Sequence, residues 1–207
     1  MKKHIFLAGF SLITAMSMLF ASCNTELNDN DKYIIQTPLY QIYEQGRQEY
    51  RYCITDGSAI FAEGIKKGTE PEITELGNGI IRLYMGFGTN AASVQYFDVW
   101  NGRKSEVFSP YANYTDFANE NTQEYLIAYF ASSSEPVLTI KDIFDEQGFS
   151  TKIDKNFCYA DCKQMIILNE NEIYLDYTAF ADGYSNEDLK AGKNVEYENI
   201  RETIKYR

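Results

Sequence analysis

One thiol in this sequence is placed for covalent chemistry near the amino terminus. Cys23 follows Phe20-Ala21-Ser22, and the small residues before it give a peptidase access to the backbone. Upstream, Lys2 and Lys3 precede an apolar run from residue 5 to residue 20. That run is too short to span a bilayer comfortably, but it has the length of the hydrophobic region of a signal peptide. The pattern predicts export, followed by cleavage and acylation at the thiol.

The segment Phe20-Ala21-Ser22-Cys23 resembles the lipobox of bacterial lipoproteins, with Phe20 where that family usually has Leu. The resemblance implies that Cys23 becomes the lipid-modified first residue after cleavage. The alternative is an ordinary secretory signal cut near Ala21, which would leave Cys23 a plain thiol. We therefore expect a signal peptide over 1–22, the lipidated cysteine with a polar tether over 23–32, and a single all-β domain over 33–207.

The charge and the histidine content exclude several functions. Removing residues 1–22 takes away Lys2 and Lys3 and leaves 17 basic and 30 acidic residues, a net charge of −13. An acidic body repels phosphate backbones, so nucleic acid is not an expected partner. The only histidine, His4, leaves with the signal peptide. Serine and cysteine hydrolases that use histidine, and metal sites with histidine ligands, are therefore excluded.

Three further cysteines remain, Cys53, Cys158 and Cys162. In an oxidising compartment an odd number suggests one disulfide and one remaining thiol, and the sequence does not decide the pairing. Two alternatives are a zinc site with Asp161 and three buried reduced thiols. The paired spacing of known zinc motifs is missing, so no metal is expected.

Three other motifs are weaker indications of a functional site. Gly86-Phe87-Gly88-Thr89-Asn90-Ala91 fits a dinucleotide fingerprint, but the residues after it predict a strand where that motif needs a helix. The oxygen-rich loop over 182–188 lacks the spacing of a calcium-binding EF-hand. Asp142, Asp145 and Glu146 are candidates for a glycosidase-like carboxylate pair. With thirty acids in the chain, such a pair is weakly diagnostic. No cofactor is expected.

Aromatic residues are the candidates for binding. The chain has 17 tyrosines and one tryptophan, and such side chains suit both sugar stacking and protein interfaces. Core packing and cross-strand pairing account for most of them. Trp100 is expected at an exposed hairpin turn, and Tyr111 and Tyr114 lie in a polar stretch from 110 to 123 that reads as a connection. These three residues are the predicted binding residues.

The elements that must position these groups are short and rich in β-branched and aromatic residues, with turn residues every 8 to 12 positions and no helical periodicity. Asp56-Gly57 and Gly77-Asn78-Gly79 each predict a tight hairpin. One helical turn is expected over 186–190. The sequence therefore predicts an all-β fold, an antiparallel hairpin meander forming a β-sandwich or small barrel, with propeller-like blades as the alternative.

Within this β-rich body, Tyr96-Phe97-Asp98-Val99 and the segments over 103–108 and 138–145 resemble a group of β-rich secreted proteins of gut bacteria. The resemblance covers roughly residues 70–206. It implies exported β-rich cargo and names no activity.

Together these features predict a lipid-anchored protein of the cell envelope, in the outer membrane on its periplasmic or surface face. The expected function is a binding or accessory module for an envelope protein, a host protein or a glycan. The alternative is a carboxylate-dependent hydrolase, which would need two facing acids in a cleft, at least one of them with a raised pKa.

Overall fold

A computed structural model describes residues 32–88, 91–132 and 137–207 of the chain. They form fifteen strands and one short helix, and every strand pairing is antiparallel. The signal peptide and the tether predicted before Lys32 lie outside the described residues. The prediction of an all-β antiparallel hairpin meander is confirmed.

The strands fall into four sheets, each a meander whose strands pair in chain order. Sheet I contains β1 (Lys32–Gln36), β2 (Tyr40–Glu44), β3 (Glu49–Thr55) and β4 (Ile60–Lys67). Sheet II contains β5 (Glu72–Gly77), β6 (Ile80–Gly86), β7 (Ala92–Asp98) and β8 (Arg103–Lys104). Sheet III contains β9 (Tyr114–Asn119), β10 (Glu124–Phe130), β11 (Leu138–Asp142) and β12 (Ser150–Ile153). Sheet IV contains β13 (Phe157–Asn169), β14 (Glu172–Phe180) and β15 (Tyr197–Lys205), and helix α1 (Asn186–Lys190) lies between its last two strands.

Local turn chemistry explains the predicted hairpins. In the β3–β4 turn the Asp56 carboxylate accepts hydrogen bonds from the backbone of Ser58 and Ala59, at 2.7 and 2.6 Å. These bonds hold the pKa of Asp56 below its ordinary value. In the β5–β6 turn Asn78 and Gly79 both have positive φ angles, 49° and 72°, as a type I′ turn requires. The turn sequences thus determine where strands end.

Three hydrophobic clusters join the sheets face to face. One packs Ile42 and Ile54 of sheet I against sheet II. A second joins sheets II and III, with Tyr96 and Ile127 among its buried members. The third and largest joins sheets III and IV. Each cluster therefore connects two sheets that follow one another in the chain. The sheets are stacked, and within each sheet the strand order is that of a propeller blade.

The strand directions give the stack two different ends. At the end where the chain enters β1 lie the connections 45–48, 68–71, 87–91, 154–156 and 181–196, which we call the loop end. At the opposite end lie the turns 56–59, 77–79, 99–102, 143–149 and 169–171, which we call the turn end. The longest described connection, between β14 and β15, is at the loop end.

One of the sequence-based boundaries is wrong. Residues 110–123 were expected to be a connection, but β9 pairs with β10 from Tyr114 to Asn119. Its polar residues hid a strand whose Phe117 packs against the core. Beyond β8, residues 105–108 make only one isolated bridge, between Val94 and Phe108. The helical turn expected at 186–190 is confirmed.

The expected disulfide among the three later cysteines is also wrong. Cys158 and Cys162 are buried and free. Cys53 is disulfide-bonded. Burial raises the pKa of the Cys162 thiol to about 11 and also raises that of Cys158, so both are poor nucleophiles at neutral pH. In the described part of the chain no helix is long and apolar enough to cross a membrane.

Candidate functional site

A cavity of about 500 Å³ opens at the loop end, between sheets III and IV. Its volume falls within the range typical of small-ligand sites. One wall is the β12–β13 connection and the other is the start of helix α1, with two apolar residues beside them. The lining residues are Val137, Asp154, Lys155, Asn156, Phe157, Ser185, Asn186 and Glu187.

Asn156 holds the two walls together. Its side-chain amide donates hydrogen bonds to the carbonyl oxygens of Phe180 and Tyr184, at 3.1 and 3.2 Å. Its own carbonyl oxygen accepts a hydrogen bond from the backbone of Phe180 at 3.1 Å. The connection between sheets III and IV is thus tied to the start of the long β14–β15 connection, and the cavity has a defined shape.

Helix α1 is fixed by its N-terminal cap. Ser185 has an extended conformation, and its hydroxyl oxygen accepts a hydrogen bond from the backbone of Asp188 at 3.3 Å. The same hydroxyl donates to the Asp188 carboxylate at 2.7 Å. Glu187 and Asp188 stand in the first turn, where negative charge is favourable. The cap orders the wall that carries Asn186 and Glu187.

The cavity presents more acceptors than donors. The Asn186 side-chain oxygen is buried and has no hydrogen-bond partner in the described part of the chain. No described hydrogen bond or ion pair engages the carboxylates of Asp154 and Glu187. Two of the donors, the Asn156 amide and the Ser185 hydroxyl, are engaged within the wall, and Lys155 pairs with Glu202. A ligand that donates hydrogen bonds, through hydroxyl or amino groups, would complement this lining.

A polar triad borders the cavity. Lys155 forms an ion pair with Glu202 of β15, at 2.5 Å, and the Tyr177 hydroxyl donates to the same carboxylate oxygen at 2.7 Å. Burial raises the pKa of Glu202, but the hydrogen bonds from Lys155 and Tyr177 outweigh it and hold the value below the ordinary one. Burial and the bond to Glu202 raise the pKa of Tyr177. The triad therefore keeps Glu202 ionised beside the cavity.

A second triad lies at the interface of sheets II and III. Arg82 donates to the Asp116 carboxylate at 2.8 Å, and the Tyr96 hydroxyl donates to the same oxygen at 3.0 Å. Tyr114 stacks on Tyr84, with ring centroids 6.0 Å apart and planes inclined by 15°. The Arg82 guanidinium lies 5.8 Å from the Tyr114 ring centroid. The stacked rings thus cover this ion pair.

Tyr114, one of the predicted binding residues, is therefore a packing residue as well as a surface one. Burial is the main cause that raises its pKa to about 12, with the Arg82 charge opposing and the Asp116 charge assisting. Tyr111 is half-buried against the cluster that joins sheets III and IV. Its backbone donates a hydrogen bond to the carbonyl oxygen of Phe130 at 2.6 Å. Both tyrosines lie at the loop end.

Trp100 lies at the other end of the stack. It is 64% exposed, at the β7–β8 turn. Its ring covers Gly79, where an added β-carbon would lie 2.6 Å from the ring. Strand β6 has seven residues, a length of about 23 Å, and it separates this turn from the loop end. The structure therefore brings Tyr111 and Tyr114 to one end and places Trp100 at the other.

The three candidate catalytic acids lie in and after β11, at the turn end. The Asp142 carboxylate accepts hydrogen bonds from the backbone of Phe144 and Asp145, each at 2.8 Å. Asp145 in turn accepts one from the backbone of Gln147 at 3.0 Å. Asp142 and Asp145 thus stabilise the 143–149 turn, and Glu146 is exposed within it. None of them lines the cavity.

Sequence reasoning missed the cavity because its walls come from segments about thirty residues apart. The available signal was the connection between β14 and β15, since long connections in compact domains are often functional. The loop over 182–188 was singled out for its oxygen-rich residues, and three of them, Ser185, Asn186 and Glu187, do line the cavity. The described residues contain no cluster of three or more potential metal ligands.

Comparison with known proteins gives no family. No protein-family model matches the chain, and no curated protein or solved structure matches it. Its function has to be inferred from its own residues and geometry.

Proposed function

We propose that this chain is a lipid-anchored binding module of the bacterial cell envelope, carried by the outer membrane. Its ligand is a glycan or a polar segment of an envelope or host protein. The ligand occupies the cavity between sheets III and IV and donates hydrogen bonds to Asn186, Asp154 and Glu187.

The cavity is the observation that carries this proposal. A buried side-chain acceptor without a partner is costly, typically 1–3 kcal/mol, so the Asn186 oxygen favours a bound donor. Two unengaged carboxylates add acceptors at the same opening, and half-buried Val137 supplies apolar surface. Hydroxyl-rich sugars combine such donors with apolar ring faces.

The lipid anchor rests on Phe20-Ala21-Ser22-Cys23 and the charged and apolar segments before it. A diacylglyceryl group with a third acyl chain, as in bacterial lipoproteins, exceeds the two signals that stable anchoring needs. The acidic body fits a protein whose membrane contact comes from lipid rather than from overall charge.

The runner-up, a carboxylate-dependent hydrolase, needs a general acid with a raised pKa. Asp154 and Glu187 are the two carboxylates at the cavity. The carboxyl groups whose pKa values depart from the ordinary ones, Asp56, Glu170, Asp188 and Glu202, are all shifted down. Of these, only Glu202 borders the cavity, and its lowered pKa suits a structural role rather than proton donation, so the binding module is the better supported function.

The first test is a glycan array, together with a pull-down of envelope proteins, using the mature chain with Cys23→Ser. We expect a saturable ligand that is lost on Asn186→Leu, which removes the acceptor and fills space. Asn121→Leu makes the same chemical change in an exposed turn at the other end and should bind normally. Equal binding by both variants would show that the cavity is not the site.

The aromatic residues predicted from the sequence give a second comparison. Trp100→Ala changes an exposed ring far from the cavity, so binding in the cavity should survive it. Tyr111→Ala and Tyr114→Ala also remove packing, and their unfolding midpoints must be measured alongside binding. Loss of binding with Trp100→Ala alone would move the site to the turn end.

The anchor is tested by fatty-acid labelling and membrane fractionation of Cys23→Ala, which should remain unlipidated and leave the membrane. Cysteine chemistry gives an independent check, because a lipidated Cys23 is a thioether and cannot form a disulfide. An intramolecular disulfide between Cys53 and Cys23 in protein isolated from envelopes would overturn the lipoprotein proposal.

A further inference from the structure

Basic residues collect at the loop end of sheet I, where the chain enters β1. Lys32 begins β1, Arg47 lies in the β2–β3 turn, and Lys66 and Lys67 end β4. The register pairs Lys32 with Glu44 and Lys67 with Glu49, so these strand ends are neighbours. Lys32, Arg47 and Lys67 are exposed.

A recess of about 340 Å³ lies within this group, lined by Lys32, Glu44, Gly46 and Arg47. The two cations outnumber the one carboxylate, Glu44, and provide donors for a phosphate group. Gly46 has a φ angle of 90° and no atom within 4 Å of the position its β-carbon would take. The backbone at the rim is therefore open to a ligand.

Exposed apolar side chains stand beside the cations. Phe87, on the adjacent β6–β7 connection of sheet II, is 57% exposed, and the Lys66 ammonium lies 4.3 Å from its ring centroid. Tyr33 and Ile34 follow Lys32 in β1 and are also exposed. Basic residues mixed with aromatic and aliphatic ones are typical of surfaces that lie in the headgroup region of a bilayer.

The charge distribution sets sheet I apart from the rest of the protein. Residues 32–67 carry five basic and four acidic side chains, a net charge of +1, whereas residues 68–207 carry twelve and twenty-three, a net charge of −11. Near an anionic surface such a molecule turns its sheet I toward the lipid and its acidic sheets away.

The segment between Cys23 and the domain joins it at the start of β1, which favours the same orientation, with sheet I toward the lipid. Eight residues, 24–31, separate Cys23 from Lys32, and fully extended they reach about 30 Å. They include three acids, so attraction to an anionic surface has to come from the folded end.

We propose that the loop end of sheet I, formed by Lys32, Arg47, Lys66, Lys67 and Phe87, docks onto anionic phospholipid headgroups. This inference rests on the proposed lipid anchor at Cys23. The recess takes a lipid phosphate between Lys32 and Arg47, and Phe87 enters the interface. Docking fixes the orientation of an otherwise tethered domain.

The test uses the two ends of the molecule as reporters. Trp100 is the only tryptophan and lies at the turn end, while Phe87→Trp in a Trp100→Phe background puts the reporter at the loop end. The lipidated mature chain is reconstituted into phosphatidylethanolamine vesicles containing phosphatidylglycerol and brominated acyl chains. We expect the reporter at position 87 to be quenched several-fold more than Trp100, with the difference shrinking as salt rises.

Charge variants supply the matched control. Arg47→Glu with Lys67→Glu should abolish the difference between the two reporters. Lys104→Glu with Lys205→Glu makes the same change of charge on exposed residues at the turn end and should leave it intact. Equal quenching of both reporters in the parent protein would overturn the docking proposal while the lipid anchor stands.

The chain with Cys23→Ser separates the two proposals further. Docking predicts weak co-sedimentation of this unlipidated chain with anionic vesicles at low salt, and none with zwitterionic vesicles. If Cys23 proves unlipidated in cells, that result overturns the anchor, and this sedimentation assay still decides docking. Identical sedimentation with both kinds of vesicle would contradict it.

Discussion

Two clusters in this protein are built from the same three groups, a cation, a carboxylate and a tyrosine hydroxyl. Arg82, Asp116 and Tyr96 lie between sheets II and III, whereas Lys155, Glu202 and Tyr177 lie between sheets III and IV. In each cluster the cation and the hydroxyl share one carboxylate oxygen. Their surroundings differ.

The first ion pair is mostly buried, whereas the second is more exposed and lies beside the cavity. The Arg82 and Asp116 side chains are 17% and 15% exposed, and the Tyr84–Tyr114 stack lies beside them. The Lys155 and Glu202 side chains are 35% and 29% exposed, and Lys155 lines the cavity. The same three groups therefore stabilise the contact between two sheets in the first cluster and lie beside a candidate binding site in the second.

The largest expected effect is that of Asp116→Ala in the first cluster. Arg82 would keep a mostly buried charge with only the exposed Glu72 carboxylate, 3.5 Å away, to pair with, and the Tyr96 hydroxyl would lose its acceptor. We expect a loss of about 3 kcal/mol in the free energy of unfolding. Urea denaturation measures this. A loss similar to that of an exposed pair would show that water reaches Arg82.

Alkaline pH should be the next most damaging change. Burial raises the pKa values of Tyr96, Tyr114, Tyr177 and Tyr206 above the ordinary value of 10. Because the folded values exceed the unfolded ones, the folded state is favoured below pH 10 and loses this stability as the pH rises through and beyond that value. Tyrosinate absorbance should therefore rise together with unfolding. Smooth ionisation of all tyrosines near pH 10 in the folded protein would contradict this expectation.

Glu202→Gln in the second cluster should cost about 1 kcal/mol, since the pair is half-exposed and partly hydrated. The pKa of Glu202 is lowered in the folded state. Its stabilisation is therefore present above its unfolded pKa, near 4.5, and is lost as the pH falls further. The variant should lose less stability than the parent between neutral and acidic pH. Parallel pH curves would mean that the triad adds no stability.

The smallest expected loss of stability is that of Asn186→Ala. The variant removes a buried oxygen that has no described partner, so the unfolding free energy should stay level or rise by about 1 kcal/mol, because the cost of burying that oxygen is removed. Ligand binding, in contrast, should fall at least tenfold. A large loss of stability would mean that Asn186 is structural, and the cavity would lose its main argument.

Features determined by local sequence could be predicted. Asp56-Gly57 and Gly77-Asn78-Gly79 specify turns through backbone conformation and short-range hydrogen bonds, and the structure has them where they were expected. Strand β9 was missed because Thr115 and Asp116 interrupt its hydrophobic pattern. Its place depends on pairing with β10, which propensity alone does not reveal.

The candidate site depended on long-range contacts. Arg82 and Asp116 are 34 positions apart, and Lys155 and Glu202 are 47 positions apart. Neither spacing is a motif, so a single sequence cannot join them. Trp100 was correctly expected at a turn, but nothing near it indicated that Tyr111 and Tyr114 lie at the other end of the stack.

The stacking of the sheets in chain order also bears on how the protein folds. A chain emerging from its amino terminus completes sheet I first, and each later sheet then finds its packing surface already formed. No cluster among the described residues requires a distant later segment before an earlier sheet can pack. Such vectorial assembly limits the time for which apolar strand faces are exposed to aggregation, the main hazard for slowly folding β proteins.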